Sequence, residues 1–334
     1  MTAYRRIDIP AGWSNATERG SASLLRVMLW IALYLGAGVS ELLLLPITLW
    51  FLATSPASRA ASQEYLARAL GRPARLRDVA RHLHSFACAI LDRVFLLTGR
   101  TTAGFQIDTE GLEHVTDVLA RGQGCVLMGA HLGSFEVLRT LSRHSPVPVR
   151  ALMFRANAGP LTGLLDRLAP GLRDSVIEIG DTASMLLVRE AVERGEIVGI
   201  LADRTPPGHP QVVAPFLGHP AAFPAGPFVL AATLGVPVVL FHGVRTGRRR
   251  YAIRFSPFAD RLVLRRASRS ADLAAAVARY AAAVEQGCRA HPFNWFNFFP
   301  FWEPAADVVV RAGGAAHPGS GDRPSCGAGA DHAA

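Results

Sequence analysis

The sequence predicts an α/β fold: a mixed, largely parallel sheet flanked by helices, preceded by an N-terminal membrane-associated helix. Three observations carry this. After Gly99, short apolar runs of strand length alternate with amphipathic stretches, the pattern of a sheet covered by helices on both faces. Half of the 334 residues are hydrophobic and 18% are charged, against a usual charged share of roughly 25%. That excludes a wholly disordered chain and provides for a large core plus some membrane-facing surface. Finally, an apolar run of 26 residues, Val27–Leu52, is interrupted by charge only at Glu41.

Residues 1–26 form a mixed, polar N-terminal segment with Arg5, Arg6, Arg19 and Arg26. As one helix, residues 27–52 would reach about 39 Å, enough for a hydrocarbon core of roughly 30 Å. The run starts too late and is too long for a signal peptide. Glu41 near its middle would cost roughly 2.5–3.5 kcal/mol in a bilayer, and Pro46 kinks a helix. A tilted span and a broken helix in one leaflet both fit these features, and a buried core helix is the soluble alternative. Arg59, Arg68 and Arg72 follow the run, so the positive-inside rule places the remainder in the cytoplasm.

Residues 57–98 read as helices, with Tyr65, Leu66 and Leu70 on one stripe and Val79, Leu83, Phe86, Ile90, Val94 and Leu97 at helical spacing. Strands are expected at Phe105–Asp108, Cys125–Gly129, Val149–Phe154, Val176–Ile179, Ile197–Leu201, Val212–Leu217, Pro237–His242 and Tyr251–Phe255. Between and after them, helices are expected at Glu113–Arg121, Ser134–Arg143, Leu161–Leu168, Thr182–Arg194, Gly226–Leu234 and Ala271–Ala290. The Gly-, Ala-, Pro- and Ser-rich residues 311–334 read as a disordered tail.

All 35 basic residues are arginine; against 26 acids they leave a charge of +9, which suits an acidic carrier protein, an anionic lipid or a phosphate rather than specifying nucleic acid. Arg245 with Arg248, Arg249 and Arg250 is either a docking patch or a solvated hairpin turn. Cys88, Cys125, Cys288 and Cys326 contain no C-x-x-C pair, so neither a zinc site nor a disulfide framework is indicated and a reducing compartment is expected. His82 and His84 fall on opposite faces of one helix and are not read as metal ligands. There is no P-loop or G-x-G-x-x-G motif.

The most informative stretch runs from Cys125 to Glu136, Cys-Val-Leu-Met-Gly-Ala-His-Leu-Gly-Ser-Phe-Glu. An apolar strand ends, the chain turns, and His131 stands where α/β sheets place ligands, at the carboxyl end of a strand. On one continuous helix His131 and Glu136 would point about 140° apart. With His131 in the turn and Glu136 in the first helical turn they can converge, so a carboxylate would orient one ring nitrogen and leave the other to accept a proton. Gly133-Ser134-Phe135 is not a nucleophile elbow, so the hydroxyl to be activated belongs to a substrate. The structural alternative is a histidine beside a helix cap with a surface glutamate.

The H-x4-E motif at a strand-to-helix turn resembles the glycerolipid acyltransferase superfamily, and the longer pattern resembles its lipid A biosynthesis (late, lauroyl/myristoyl-type) branch. Phe154-Arg155-Ala-Asn157 resembles that branch's basic segment, Leu201-Ala-Asp203-Arg204 its acidic-polar pair, and Phe216-Leu-Gly218 through Pro224-Ala-Gly226-Pro227 its later loop. The resemblance covers roughly residues 20–305. It implies an acyltransferase domain over residues 57–305 behind a membrane-associated helix at 27–52. It also implies O-acyl transfer from an acyl thioester, acyl carrier protein or acyl-coenzyme A, to a hydroxyl of a lipid or glycolipid, without cofactor, metal or nucleic acid. His131 and Glu136 would be catalytic, Arg155, Asn157, Asp203, Arg204 and Gly226 would bind substrate, and backbone N–H groups near Gly133 or Arg155 would meet the oxyanion. The implied location is the cell inner membrane, with the domain facing the cytoplasm.

Departures from the branch concern the acceptor. His131-Leu-Gly-Ser-Phe-Glu136 stands where many members have H-F-G-N-W-E. The aromatic segment Phe293–Trp302, a core-covering tail or else an interfacial belt or acyl-tunnel wall, is unlike the usual lipid A ending. A glycolipid (mannoside) acyltransferase and a catalytically silent, membrane-anchored lipid-binding protein are the alternatives.

Overall fold

The structure, a computed structural model, describes Tyr34 and residues 36–98, 104–142, 147–154, 175–179, 182–206 and 208–302. The expected helix Leu161–Leu168, residues 1–33 and the tail lie outside them, as do Arg155 and Asn157.

Three helices come first: α1 (Gly36–Thr54), α2 (Pro56–Leu70) and α3 (Leu76–Thr98). α1 ends where it does because Ser55 precedes Pro56, and the residue before a proline is pushed out of helical conformation. Pro56 then opens α2, and the Arg59 guanidinium donates to the Leu52 carbonyl left free at the end of α1. The two helices meet at 97°, and among the described residues no single helix is long and apolar enough to cross a membrane. The 19 residues of α1 reach about 28 Å. Ser40, Leu44 and Thr48 are buried, with Leu44 packed beside Cys88, Leu91 and Phe95 of α3, while Leu42, Leu45 and Leu49 are exposed. Glu41, the charge that interrupts the apolar run, pairs with Arg248.

The rest is β1 (Gln106–Glu110), α4 (Glu113–Ala120), β2 (Cys125–Gly129), α5 (Phe135–Ser142), β3 (Val149–Phe154), β4 (Val176–Ile179), α6 (Thr182–Glu193), β5 (Ile197–Leu201), β6 (Gln211–Phe216), β7 (His219–Pro224), α7 (Gly226–Leu234), β8 (Val238–Gly247), β9 (Arg250–Ala259) and α8 (Arg269–Ala290). Seven strands form one sheet in the order β1-β9-β8-β2-β5-β3-β4. All neighbours are parallel except the β8–β9 hairpin. β2 is buried throughout, as a continuous apolar run requires when helices cover both faces. Its alternate side chains serve two cores. Val126 and Met128 face Tyr65 and Leu66 of α2, Val188 of α6 and Val277, Tyr280 and Val284 of α8. Cys125 and Leu127 face Val115 and Val118 of α4 and Val137 and Leu138 of α5.

β6 and β7 form a separate two-stranded hairpin. β7 was not expected as a strand, because Pro220 and Pro224 read as loop. A two-stranded hairpin has a free edge that tolerates them. Its turn is Leu217-Gly218, both at positive φ, the two-residue geometry that fits the twist of the strands. The arginine cluster is the β8–β9 turn and its flank: Arg248 holds Glu41, Arg249 lies over the rings of Phe95 and Phe105, and Arg245 pairs with buried Asp92.

Candidate active site

The register of the sheet builds the site. Gly129, the last residue of β2, lies opposite Leu201, the last residue of β5. The Ala202 N–H continues the ladder to the Gly129 carbonyl. Two residues beyond each strand end stand His131 and Asp203, so equal offsets from registered strands set them side by side. The Asp203 carboxylate accepts the His131 backbone N–H on Oδ2 at 2.9 Å and lies 2.7 Å from ring Nδ1 through Oδ1. A carboxylate accepts, so Nδ1 carries the proton and Nε2 of the neutral ring is the free base. The His131 side chain is 26% exposed, whereas that of Asp203 is fully buried.

Asp203 is fully engaged. Oδ2 also accepts the Trp295 indole N–H at 3.0 Å and the Asn297 amide at 2.9 Å. Both come from the segment after α8, which is stitched to the turn by a backbone bridge between Leu132 and Trp295. The Gly133 N–H donates to the Asn294 carbonyl, and the Phe296 N–H donates to the His131 carbonyl. Buried His82 holds the segment from behind, its Nε2 on the Trp295 carbonyl and its Nδ1 on the Ser62 hydroxyl, each at 2.8 Å. Burial lowers its pKa to about 4, so it stays neutral. The Trp295 ring is fully buried against Tyr65, Phe216 and Phe301. The aromatic segment is therefore core and scaffold: Trp295, Phe296, Phe301 and Trp302 are buried, which removes them from an interfacial belt.

Burial raises the Asp203 pKa, but the charge and hydrogen bond of His131, then Arg204, outweigh it and hold the carboxyl below its usual range. Burial and then Arg204 lower the His131 pKa, while Asp203 and Glu136 raise it, with a net result below 6.5. The ring is thus neutral at physiological pH. Burial lowers the Arg204 pKa to about 10, so that side chain stays charged; its Nε donates to Asn297 Oδ1 at 2.6 Å and its Nη2 to the Phe296 carbonyl at 2.7 Å.

Two expectations are corrected. The carboxylate on Nδ1 belongs to Asp203 rather than Glu136. Glu136 sits in the first turn of α5 and faces α3, where Oε1 is 2.7 Å from Arg93 Nε and Oε2 accepts the Ser134 hydroxyl at 3.3 Å. Its influence on His131 is electrostatic. Backbone donors at Gly133 are not available to an oxyanion, since the Gly133 N–H serves Asn294 and the Ser134 N–H serves Gly243. The approach of Gly133 to Gly243 demands glycine, for its φ is +86° and an added Cβ would lie 1.9 Å from the Gly243 carbonyl oxygen.

Of the other expected site residues, Asp203 and Arg204 adjoin the ring. Gly226 heads α7 beyond the β6–β7 hairpin, and no described contact joins it to His131. Trp295 and Asn297 were missed as site residues. A cavity of about 420 Å³ lies beside the turn, between the sheet and α8; Ala130, Leu132, His242, Tyr280 and Gly287 are among its lining residues.

A profile of bacterial lipid A biosynthesis acyltransferases matches residues 15–303. The phosphatidylinositol mannoside acyltransferase of Mycobacterium tuberculosis strain H37Rv is 26% identical over 196 residues, and the protein of the same name from strain CDC 1551 aligns to the same extent. Each alignment spans 58% of this chain and 58% of the relative's length.

Proposed function

The chain belongs to the bacterial lipid A biosynthesis acyltransferase family, and we propose that it transfers a fatty acyl group from an acyl thioester to a hydroxyl of a lipid or glycolipid. The observation that carries this is the 2.7 Å contact between buried Asp203 and the Nδ1 of a partly exposed, neutral His131 at the carboxyl ends of β2 and β5. Nε2 removes the proton of the acceptor hydroxyl as its oxygen attacks the thioester carbonyl. The tetrahedral intermediate collapses by breaking the C–S bond, and the thiolate recovers the proton from the imidazolium. Asp203 holds the productive tautomer and stabilises the imidazolium without itself taking the proton. Glu136 adds negative charge to the same end.

The oxyanion needs donors, one of which is worth roughly 2.7–4 kcal/mol. Arg204 fills this role in the proposal: two of the five guanidinium N–H groups are used by the C-terminal segment, and its charge reaches the ring. Arg155 and Asn157 bind a phosphate or the thioester arm. The exposed leucines Leu42, Leu45 and Leu49 of α1 rest on the inner membrane with the domain on its cytoplasmic side, so a lipid acceptor reaches the site without leaving the bilayer surface. The glycolipid reading of the acceptor is favoured by the mannoside acyltransferases among the relatives.

The test is the purified full chain in detergent, with palmitoyl-coenzyme A or palmitoyl-carrier protein as donor. Phosphatidylinositol mannoside or a lipid A precursor serves as acceptor, and products are read by mass spectrometry. An acylated acceptor is expected, with a rate that falls roughly 100- to 10,000-fold in His131→Ala. Transfer that survives in this variant at the wild-type rate overturns the assignment. Lipid binding without transfer identifies a silent lipid-binding protein instead.

A further inference from the structure

Buried Asp203 and half-buried Arg204 are adjacent in sequence, opposite in charge and set around the same ring, yet no ion pair joins their side chains among the described residues. Between them stands Asn297, itself 1% exposed. Its amide nitrogen donates to Asp203 Oδ2 at 2.9 Å while its amide oxygen accepts Arg204 Nε at 2.6 Å. The chemistry leaves no choice of orientation, because a carboxylate only accepts and a guanidinium only donates. An asparagine side chain presents both functions back to back without charge. An aspartate here would set two carboxylates together, and an apolar residue would leave the Arg204 Nε–H without its acceptor and take one of the three donors from Asp203 Oδ2.

We propose that Asn297 is a positioning residue that keeps Arg204 off Asp203, so that the carboxylate remains committed to His131 and the guanidinium to the substrate. The proposal rests on the reading of His131 and Asp203 given above. Without the spacer, Arg204 closes on Asp203 as a direct, bidentate pair, the strongest contact open to the two groups in a buried setting. That pair would compete with His131 Nδ1 for the same oxygens and withdraw the cation from substrate. The groups whose charge reaches the ring are Asp203 and Arg204 after β5 and Glu136 on α5. The segment carrying Trp295, Phe296 and Asn297 is neutral, so the competition is decided between these three.

The experiment is the titration of the His131 imidazole by nitrogen-15 NMR in the histidine-labelled full chain, together with the pH profile of kcat/KM for palmitoyl transfer. Asn297→Ala is compared in the native and Arg204→Met backgrounds, with Asn297→Ser used where the alanine variant does not fold. In the native background we expect kcat/KM to fall roughly 10- to 100-fold, as for a small misplacement of a reacting group. The imidazole titration and the acid limb move together to lower pH as Arg204 screens Asp203. In the Arg204→Met background the same substitution moves the titration much less, because no cation remains to be kept apart.

A uniform loss of activity with an unmoved titration assigns Asn297 to folding alone and overturns the proposal. So does an equal displacement in both backgrounds. His131→Ala is the separate control: if it retains transfer, the reading of the site fails, whereas its inactivity beside an unmoved Asn297→Ala titration defeats only the role given to Asn297.

Discussion

Asp203→Asn changes one oxygen for one nitrogen, and the structure dictates where the nitrogen goes. Oδ2 of Asp203 accepts three N–H groups, from the His131 backbone, Trp295 and Asn297, at 2.9, 3.0 and 2.9 Å. The oxygen of the new amide must stay among them, since turning its nitrogen there would leave up to three buried donors unmatched at roughly 1–3 kcal/mol each. The amide nitrogen therefore faces His131 Nδ1, at the position where Oδ1 now sits 2.7 Å away. Being a donor, it forces Nδ1 to accept, and the ring proton moves to Nε2, the atom that should act as base. Restoring the productive tautomer would set N–H against N–H, giving up the new neutral hydrogen bond and leaving two facing donors unmatched, at roughly 1–3 kcal/mol each. The imidazolium also loses its counter-charge. Serine hydrolases with the same exchange lose about 10,000-fold in kcat, and general-base catalysis as a whole contributes roughly 100- to 10,000-fold. We therefore expect kcat to fall roughly 1,000- to 10,000-fold with KM little changed, since Asp203 is buried away from substrate. Protonation of the ring is not the cause, because removing the carboxylate charge keeps His131 neutral to still lower pH. Initial rates of transfer, with circular dichroism to verify the fold, decide the matter. Activity within tenfold of the wild type refutes the tautomer argument.

Two further outcomes are expected. Gly133→Ala combines a left-handed backbone with a 1.9 Å encounter with the Gly243 carbonyl oxygen, so it should destabilise by at least roughly 2–4 kcal/mol in urea unfolding; a midpoint unchanged from wild type would contradict the described turn. His82 has a pKa of about 4 against 6.5 when unfolded, so the unfolded chain binds the extra proton between these values and stability falls as pH drops through that window, by roughly 3 kcal/mol in all. His82→Leu should flatten this pH slope even though the variant is less stable overall, and an unaltered slope would remove His82 as its source.

Elements whose local pattern and tertiary role agree were legible. β2, β3, β4 and β5 are expected and found over the same residues: β2 and β5, central and covered on both faces, are uninterrupted apolar runs, while β3 and edge strand β4 stay recognisable although Arg150 and Glu178 interrupt them. The expected β8 is four residues shorter than the strand found and the expected β9 five. Their outer halves carry Arg245, Thr246, Arg250 and Pro257, which read as loop until the hairpin pairs them. The N-terminal run was legible in composition but not in geometry. Glu41 looked like a charge to be buried in lipid, and only the approach of the β8–β9 turn supplies Arg248 as its partner.

The site divides along the same line. His131 was found because strand, turn and helix follow one another along the chain. Its carboxylate was assigned to Glu136, the nearest in sequence, when the true distance is set by sheet order. Strands β2 and β5 are separated by 67 residues of chain between Gly129 and Ile197, yet they are neighbours in register, and His131 and Asp203 inherit that adjacency from equal two-residue offsets. The offset of Asp203 from its strand was visible; the adjacency of the two strands was not. Asn297 and Trp295 were further hidden by their company. Amid seven aromatic residues between Phe293 and Trp302, two asparagines are what a segment serving only as a greasy cover would not carry. Buried amides require partners, and in this chain Asn294 finds its partner in the backbone of Arg245 and Asn297 in Asp203 and Arg204. Polar side chains that interrupt an apolar segment bound for the core therefore point to a polar network within it, and here that network surrounds the base.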